Sequence, residues 1–280
     1  MFEKFSRSWS LIKYSAGVLR QDRELLVFPL LSTIAAVLVA LTFVPFLMQT
    51  GIATEDGATK ASPGGYAVMF ALYLIEYFVI FFFNAALVGA ALIRMDGGDP
   101  TVRDGLRIAS SKTGKIFGYA MIAATVGVIL RALAERLGFV GQFIIGLVGL
   151  AWTVATFLTV PVLVARDIGP VDAVKESATL LKETWGENII ANAGLGFVFV
   201  FVYIGMMFVF AGLVALVQGS GPAVITVFVV GIVSLTIVAL VQGALQGIFS
   251  AALYRYAVDG PDQSDPAREL LGEAFKPKPA

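Results

Sequence analysis

Two residue types are missing from this 280-residue chain, which has neither cysteine nor histidine. Without cysteine there can be no disulfide, no thiolate metal site and no thiol nucleophile. Without histidine the commonest general base and the commonest metal ligand are gone as well. Charge is also scarce, at 14% of residues, and it balances to a formal net charge of zero. That balance leaves no footprint for a nucleic-acid partner. The glycines form no G-x-x-x-x-G-K-[ST] phosphate loop, and no G-x-S-x-G elbow occurs. These absences point away from an enzyme, with no catalytic residue, metal or other cofactor to assign.

What the chain has instead is long uncharged runs. It is 58% apolar with a mean hydropathy of +0.85, whereas soluble domains average about 45–50% apolar and about 25% charged. Leu25 to Met48 is uncharged for 24 residues, more than the ~20 that cross a ~30 Å hydrocarbon core. Tyr66 to Ile93 comes next, after a small, polar loop. Ile116 to Leu130 is apolar for only 15 residues, but the 29 uncharged residues from Leu137 to Ala165 come after it through the tight "RLGFVG", so both read as spans. Ile189 to Val217 and Ala223 to Leu253 bring the number to six. The sixth, 31 residues and about 46 Å if helical, must tilt or project from the bilayer. The opening is basic and has no A-x-A-like exit, so a retained first span is expected rather than a cleaved signal peptide.

Between the runs lie polar islands with helical periodicity. Phe2, Phe5, Trp9, Ile12, Ala16 and Leu19 form one stripe. Val102, Leu106, Ala109, Thr113 and Ile116 form a second, with Asp99 or Thr101 as its cap and Pro100 in the first turn. Val171, Val174, Ala178, Leu181 and Trp185 form a third, behind the breaker Gly169-Pro170. Each stripe suits an amphipathic helix at the membrane surface or one packed against its own bundle. Phe2, Phe5, Trp9, Ile12, Val174, Leu181 and Trp185 are the candidate interfacial anchors, with anionic inner-leaflet lipids as the expected partner. Seventeen of the 20 cations fall on one side of this topology, so the positive-inside rule places both termini in the cytoplasm.

The hairpins end alike. Arg94 leads through Asp96 and Gly97 to Pro100, Arg166 through Asp167 and Gly169 to Pro170, and Arg255 through Asp259 and Gly260 to Pro261. One reading is a threefold parallel repeat, with units near 2–98, 100–168 and 170–260 inside a single membrane domain of residues 1–260. The other is convergence on helix-end chemistry. Residues 261–280 form a polar tail. The fold expected is all-α: six transmembrane helices with amphipathic cytoplasmic helices.

Three stretches carry a family likeness: "RQDRELLVFPLLS", "GGDPTVRDGLRIASSKTGKIFGYAMIAATVGVIL" and "GLAWTVATFLTVPVLVARDIGPVDAVKESATLLKETWGENI". The chain resembles an uncharacterised family of prokaryotic six-span membrane proteins that carry a domain of unknown function. The resemblance implies six helices and a prokaryotic plasma membrane, and brings no activity or ligand with it.

Chemistry is left to polar residues inside the spans. A charge there costs at least ~2.5–3.5 kcal/mol, so Glu76 and Arg131 call for partners. Counted at ~1.5 Å per residue, Glu76 lies about 27 Å above Arg94 and Arg131 about 24 Å above Lys115, which allows an ion pair between them. Glu135, one turn beyond Arg131, competes for it. Asn84 and Gln246 match in height at about 15 and 13 Å, which suits an amide bridge between helices. Gln242 shares a face with Gln246, beside the small pair Gly243 and Gly247. Two functional readings fit these residues. One is a non-enzymatic protein organising lipids or partner proteins, a second copy of the chain included. The other is a transporter or channel with Glu76, Arg131, Asn84, Gln242 and Gln246 lining one path.

Overall fold

The computed structural model describes residues 13–49, 63–185, 194–217 and 220–260. Phe2, Phe5, Trp9, Ile12 and the 261–280 tail lie outside the described residues, as does the side chain of Trp185. Everything described is helix and turn. Residues 13–21 form α1, and a 3-10 turn at Arg23–Leu26 leads into α2 (Val27–Gln49). Then come α3 (Pro63–Met95), α4 (Val102–Ser111), α5 (Thr113–Ala134), α6 (Phe139–Ala155), α7 (Thr159–Ala165), α8 (Pro170–Trp185), α9 (Gly194–Leu216) and α10 (Gly221–Asp259). Six stretches are long and apolar enough to cross a membrane: Arg23–Gln49, Pro63–Met95, Thr113–Ala134, Val140–Ala165, Val198–Leu216 and Gly221–Asp259. The protein is an all-α polytopic membrane protein. The short third run is a full span, and the 39-residue sixth one is about 58 Å long.

The helix α3 is the hub, touching α2, α4, α5, α7 and α10. Its two halves are built differently. Toward Arg94 it buries Ala85, Ala86, Gly89, Ala90 and Ala91, so neighbouring backbones approach closely. The small residues of α4 answer them. A Cβ on Gly105 would stand 2.7 Å from the Ala86 carbonyl oxygen and 2.5 Å from Phe28. Toward its start α3 is aromatic: Tyr77 stacks on Phe81 at 5.6 Å between ring centres, and Phe81 on Tyr119 at 4.4 Å. The core gathers at the arginine end, where α1, α4, α7 and α8 close around α3 and the last turns of α10.

The islands dock against this core. On α4, Thr101 is the cap: its hydroxyl accepts from the Asp104 N–H at 3.2 Å, and the Asp104 carboxylate accepts from the Thr101 N–H at 3.1 Å. Pro100 stands before the cap rather than in the first turn. On α8 the buried face is Ala173, Ser177, Leu180 and Leu181, about one residue around from the expected stripe, and Val171 is left exposed. Leu181 is a core residue and Val174 packs against the core, so these two candidate anchors face the bundle. The small Ala173 and Ser177 let α8 sit down on the break between α6 and α7, and Leu180 and Leu181 continue the same buried face.

That break corrects the reading of an unbroken fourth span. Residues 156–158 are a turn, because Pro161 has no N–H for the carbonyl of Phe157 and its ring crowds that group. Ser177 of α8 fills the gap, accepting from the Leu158 N–H at 3.0 Å and donating to the Ala155 carbonyl at 2.7 Å.

Candidate functional site

Arg131 does not meet Glu76. Its guanidinium donates to Glu135 at 3.0 Å and to the Tyr73 hydroxyl at 3.4 Å, and the Tyr66 hydroxyl donates to the other Glu135 oxygen at 2.7 Å. The result is a clamp of α3 to the end of α5. Tyr66 holds the Glu135 carboxyl below its ordinary range, with Arg131 as a lesser cause. Equal height was not enough for the expected pair: Tyr73, not Glu76, carries the azimuth that faces α5. Among the described residues no ion pair or hydrogen bond engages Glu76. The spacing of Tyr66 and Tyr73 by two turns, against Arg131 and Glu135 by one, was the available signal for this clamp.

Gln242 and Gln246 also part. Gln242 accepts from the Tyr203 hydroxyl at 2.7 Å and so joins α10 to α9. Gln246 instead lines a cavity of about 330 Å³ between α2, α3 and α10, and Asn84 lines it too. The height match therefore brought the two amides to one space, although the bridge expected between them does not form. The glycine pair explains the space. Gly247 packs so closely on α3 that a Cβ would fall 2.3 Å from Leu87 and 3.3 Å from the Asn84 amide oxygen, while Gly243 faces Pro29 of α2. Phe28, Pro29, Ile80, Phe83 and Leu87 supply apolar wall, and Phe157, from the break in the fourth span, closes a side. The hydroxyls of Thr33 and Ser250 are occupied, donating to the Pro29 and Gly247 carbonyls at 2.8 and 2.9 Å. Ser32, Asn84 and Gln246 have no hydrogen-bond partner among the described residues. Among those residues no charged side chain lines the cavity, and Glu76 and Arg131 are not part of it.

The arginine end is held by a different set of contacts. Arg94 donates to buried Asp22 at 3.2 Å and to Asp99 at 2.5 Å. Arg255 pairs with Asp96 at 3.4 Å, and Arg166 pairs with Glu176 at 2.7 Å and reaches the Tyr254 hydroxyl at 3.3 Å. Lys115 and Lys112 both bind Asp167 and hold its carboxyl below the ordinary range. These ties join the ends of the second, fourth and sixth spans. Two of the three stops use a left-handed glycine, Gly97 at φ 83° and Gly260 at φ 77°, and Gly169 does not. Among the described residues no group of three or more acidic side chains could hold a metal ion.

Residues 64–264 match the family of unknown function DUF6159. The chain belongs to that family. The match runs from the second span to just beyond the sixth, and so takes in the hub α3, both docked islands and most of the cavity wall. No curated protein matches the chain.

Proposed function

We propose that this membrane protein is non-enzymatic and that it organises lipid by holding a lipid-type molecule in an open cavity between its helices. The observation that carries the reading is the cavity in which Ser32, Asn84 and Gln246 stand without partners among the described residues. An amide left unpaired in hydrocarbon is costly, several kcal/mol per group in a medium that offers no hydrogen bonds. Apolar walls around a few convergent polar groups are the usual make-up of a ligand site, and about 330 Å³ lies at the small end of the range for such sites. The membrane is the prokaryotic plasma membrane with both termini in the cytoplasm. The charge asymmetry of the sequence supports that orientation, and it sets the arginine end at the inner surface. Anionic inner-leaflet lipids meet the exposed cations there, Arg20, Arg23 and Arg103 among them.

The test is protein extracted in a mild detergent and examined by native mass spectrometry. The expected result is one retained lipid-type molecule per chain. Its loss is expected in a Gly243→Leu variant, whose side chain fills the cavity. Protein that carries no such molecule when purified from its own membrane would overturn the reading.

A further inference from the structure

The depth and chemistry of the cavity narrow what it can hold. Asn84 lies ten residues from Arg94 and Gln246 nine from Arg255, so both amides are about 13–15 Å above the arginine level. In a hydrocarbon core ~30 Å thick that is the middle of the bilayer. An ionic headgroup drawn to that depth would need a counter-charge, and none lines the cavity among the described residues. The nearest arginines along the same helices are already engaged, Arg94 with Asp22 and Asp99, and Arg255 with Asp96. An uncharged headgroup is free of that cost.

The two amides each offer donors and an acceptor, and the Ser32 hydroxyl offers one of each. Together they match a headgroup with at least two groups that both donate and accept. Volume sets the rest. About 330 Å³ equals roughly eleven waters at ~30 Å³ each, room for a small headgroup and the first part of one chain. The cavity is open on the side of exposed Thr33 and Gln246, so any further chain would lie outside these walls.

We infer that the cavity between α2, α3 and α10 is a binding site for a neutral single-chain amphiphile of the monoacylglycerol class, its hydroxyls held by Asn84, Gln246 and Ser32 at mid-membrane. This rests on the lipid-holding reading above and adds the headgroup and chain count. Ile80 and Phe83 of α3 and Ala239 of α10 extend the wall away from the arginine end, along the course the chain would take.

The experiment uses the full chain, delipidated in detergent and titrated with three probes that share one oleoyl chain: monoolein, oleate at alkaline pH, and lysophosphatidylglycerol. Binding is read by native mass spectrometry and by the shift in thermal midpoint. Monoolein is expected to bind at one per chain, at least tenfold more tightly than either anion. Asn84→Leu and Gln246→Leu should each weaken monoolein about tenfold, the loss of one or two hydrogen bonds. Both substitutions are apolar and suit a membrane helix, and an unchanged thermal midpoint without ligand would show that each variant is folded. If the anions bind as tightly as monoolein, or if neither substitution weakens it, this inference falls and the lipid-holding reading stands. If none of the three probes binds, both fall.

Discussion

Replacing Ser177 by alanine removes one oxygen, and two backbone groups at the break in the fourth span lose their partner with it, the Leu158 N–H and the Ala155 carbonyl. Neither has a fallback. In an unbroken helix the Leu158 N–H would donate to the Val154 carbonyl, but the Phe157 N–H already donates there at 3.1 Å. The Ala155 carbonyl would accept from the Thr159 N–H, but that group is turned to Thr156 at 3.0 Å. Ser177 is completely buried, so water cannot replace the hydroxyl without opening the contact of α8 with α6 and α7. Each orphaned group costs about 1–3 kcal/mol, so Ser177→Ala should lose about 2–6 kcal/mol. At ~2–4 °C per kcal/mol for a protein of this size, a loss of ~3 kcal/mol lowers the thermal midpoint by about 6–12 °C. Thr179, exposed on the same helix, is the control, and Thr179→Ala should change stability by less than ~0.5 kcal/mol. The assay is thermal unfolding in detergent micelles. A Ser177→Ala protein as stable as the Thr179→Ala control would refute the idea that α8 holds the break together.

Other expectations rest on the same geometry. Gly105→Ala should cost about 2–3 kcal/mol or more, because the new methyl meets both the backbone oxygen of Ala86 and the ring of fully buried Phe28; faster trypsin cleavage at Arg103 and Arg107 would report the lifted α4. Asp22→Ala should cost about 1–3 kcal/mol, since Arg94 loses its buried partner but keeps Asp99, read in the same melting assay. Glu76→Gln should leave the midpoint within about 1 °C, since no partner is lost. A large loss there would mean an ion pair after all. Asp104, Glu135 and Asp167 are held below ordinary values of 3.8, 4.5 and 3.8. A lowered folded value gives stability that is complete above the ordinary value and is lost as pH falls through the folded one. Stability should therefore be flat above about pH 5 and decline below about pH 4, as a melting series at fixed ionic strength would show.

The axial dimension of this fold was legible in the sequence, and rotation about each helix was not. Residue counts placed Asn84 and Gln246 at one height, and they do share a cavity. The same arithmetic put Glu76 level with Arg131, but Tyr73 occupies the face that Arg131 meets. Gln242 and Gln246 are one turn apart, yet neighbouring helices take one each. The break at residues 156–158 was written in Pro161, but an apolar run containing proline does not say whether the chain bends or stops. Only the arrival of Ser177, twenty-one residues after Thr156, settles that. The docked islands were harder still. Their large apolar residues drew attention, whereas Gly105, Ala109, Ala173 and Ser177 decide which face comes down.

The contacts at the arginine end also carry a direction in time. Tyr254 and Arg255 belong to the end of α10, and their partners, Arg166 and Asp96, sit on segments synthesised earlier. Until residue 255 emerges, the nascent chain holds five spans whose ends on the arginine side are not yet tied by α10. Insertion of those spans and closure of the arginine end are therefore separate events, the second waiting on translation of the last turns of α10. A chain cut short before Tyr254 could be fully inserted and still lack these ties, leaving a recognisable target for membrane proteases.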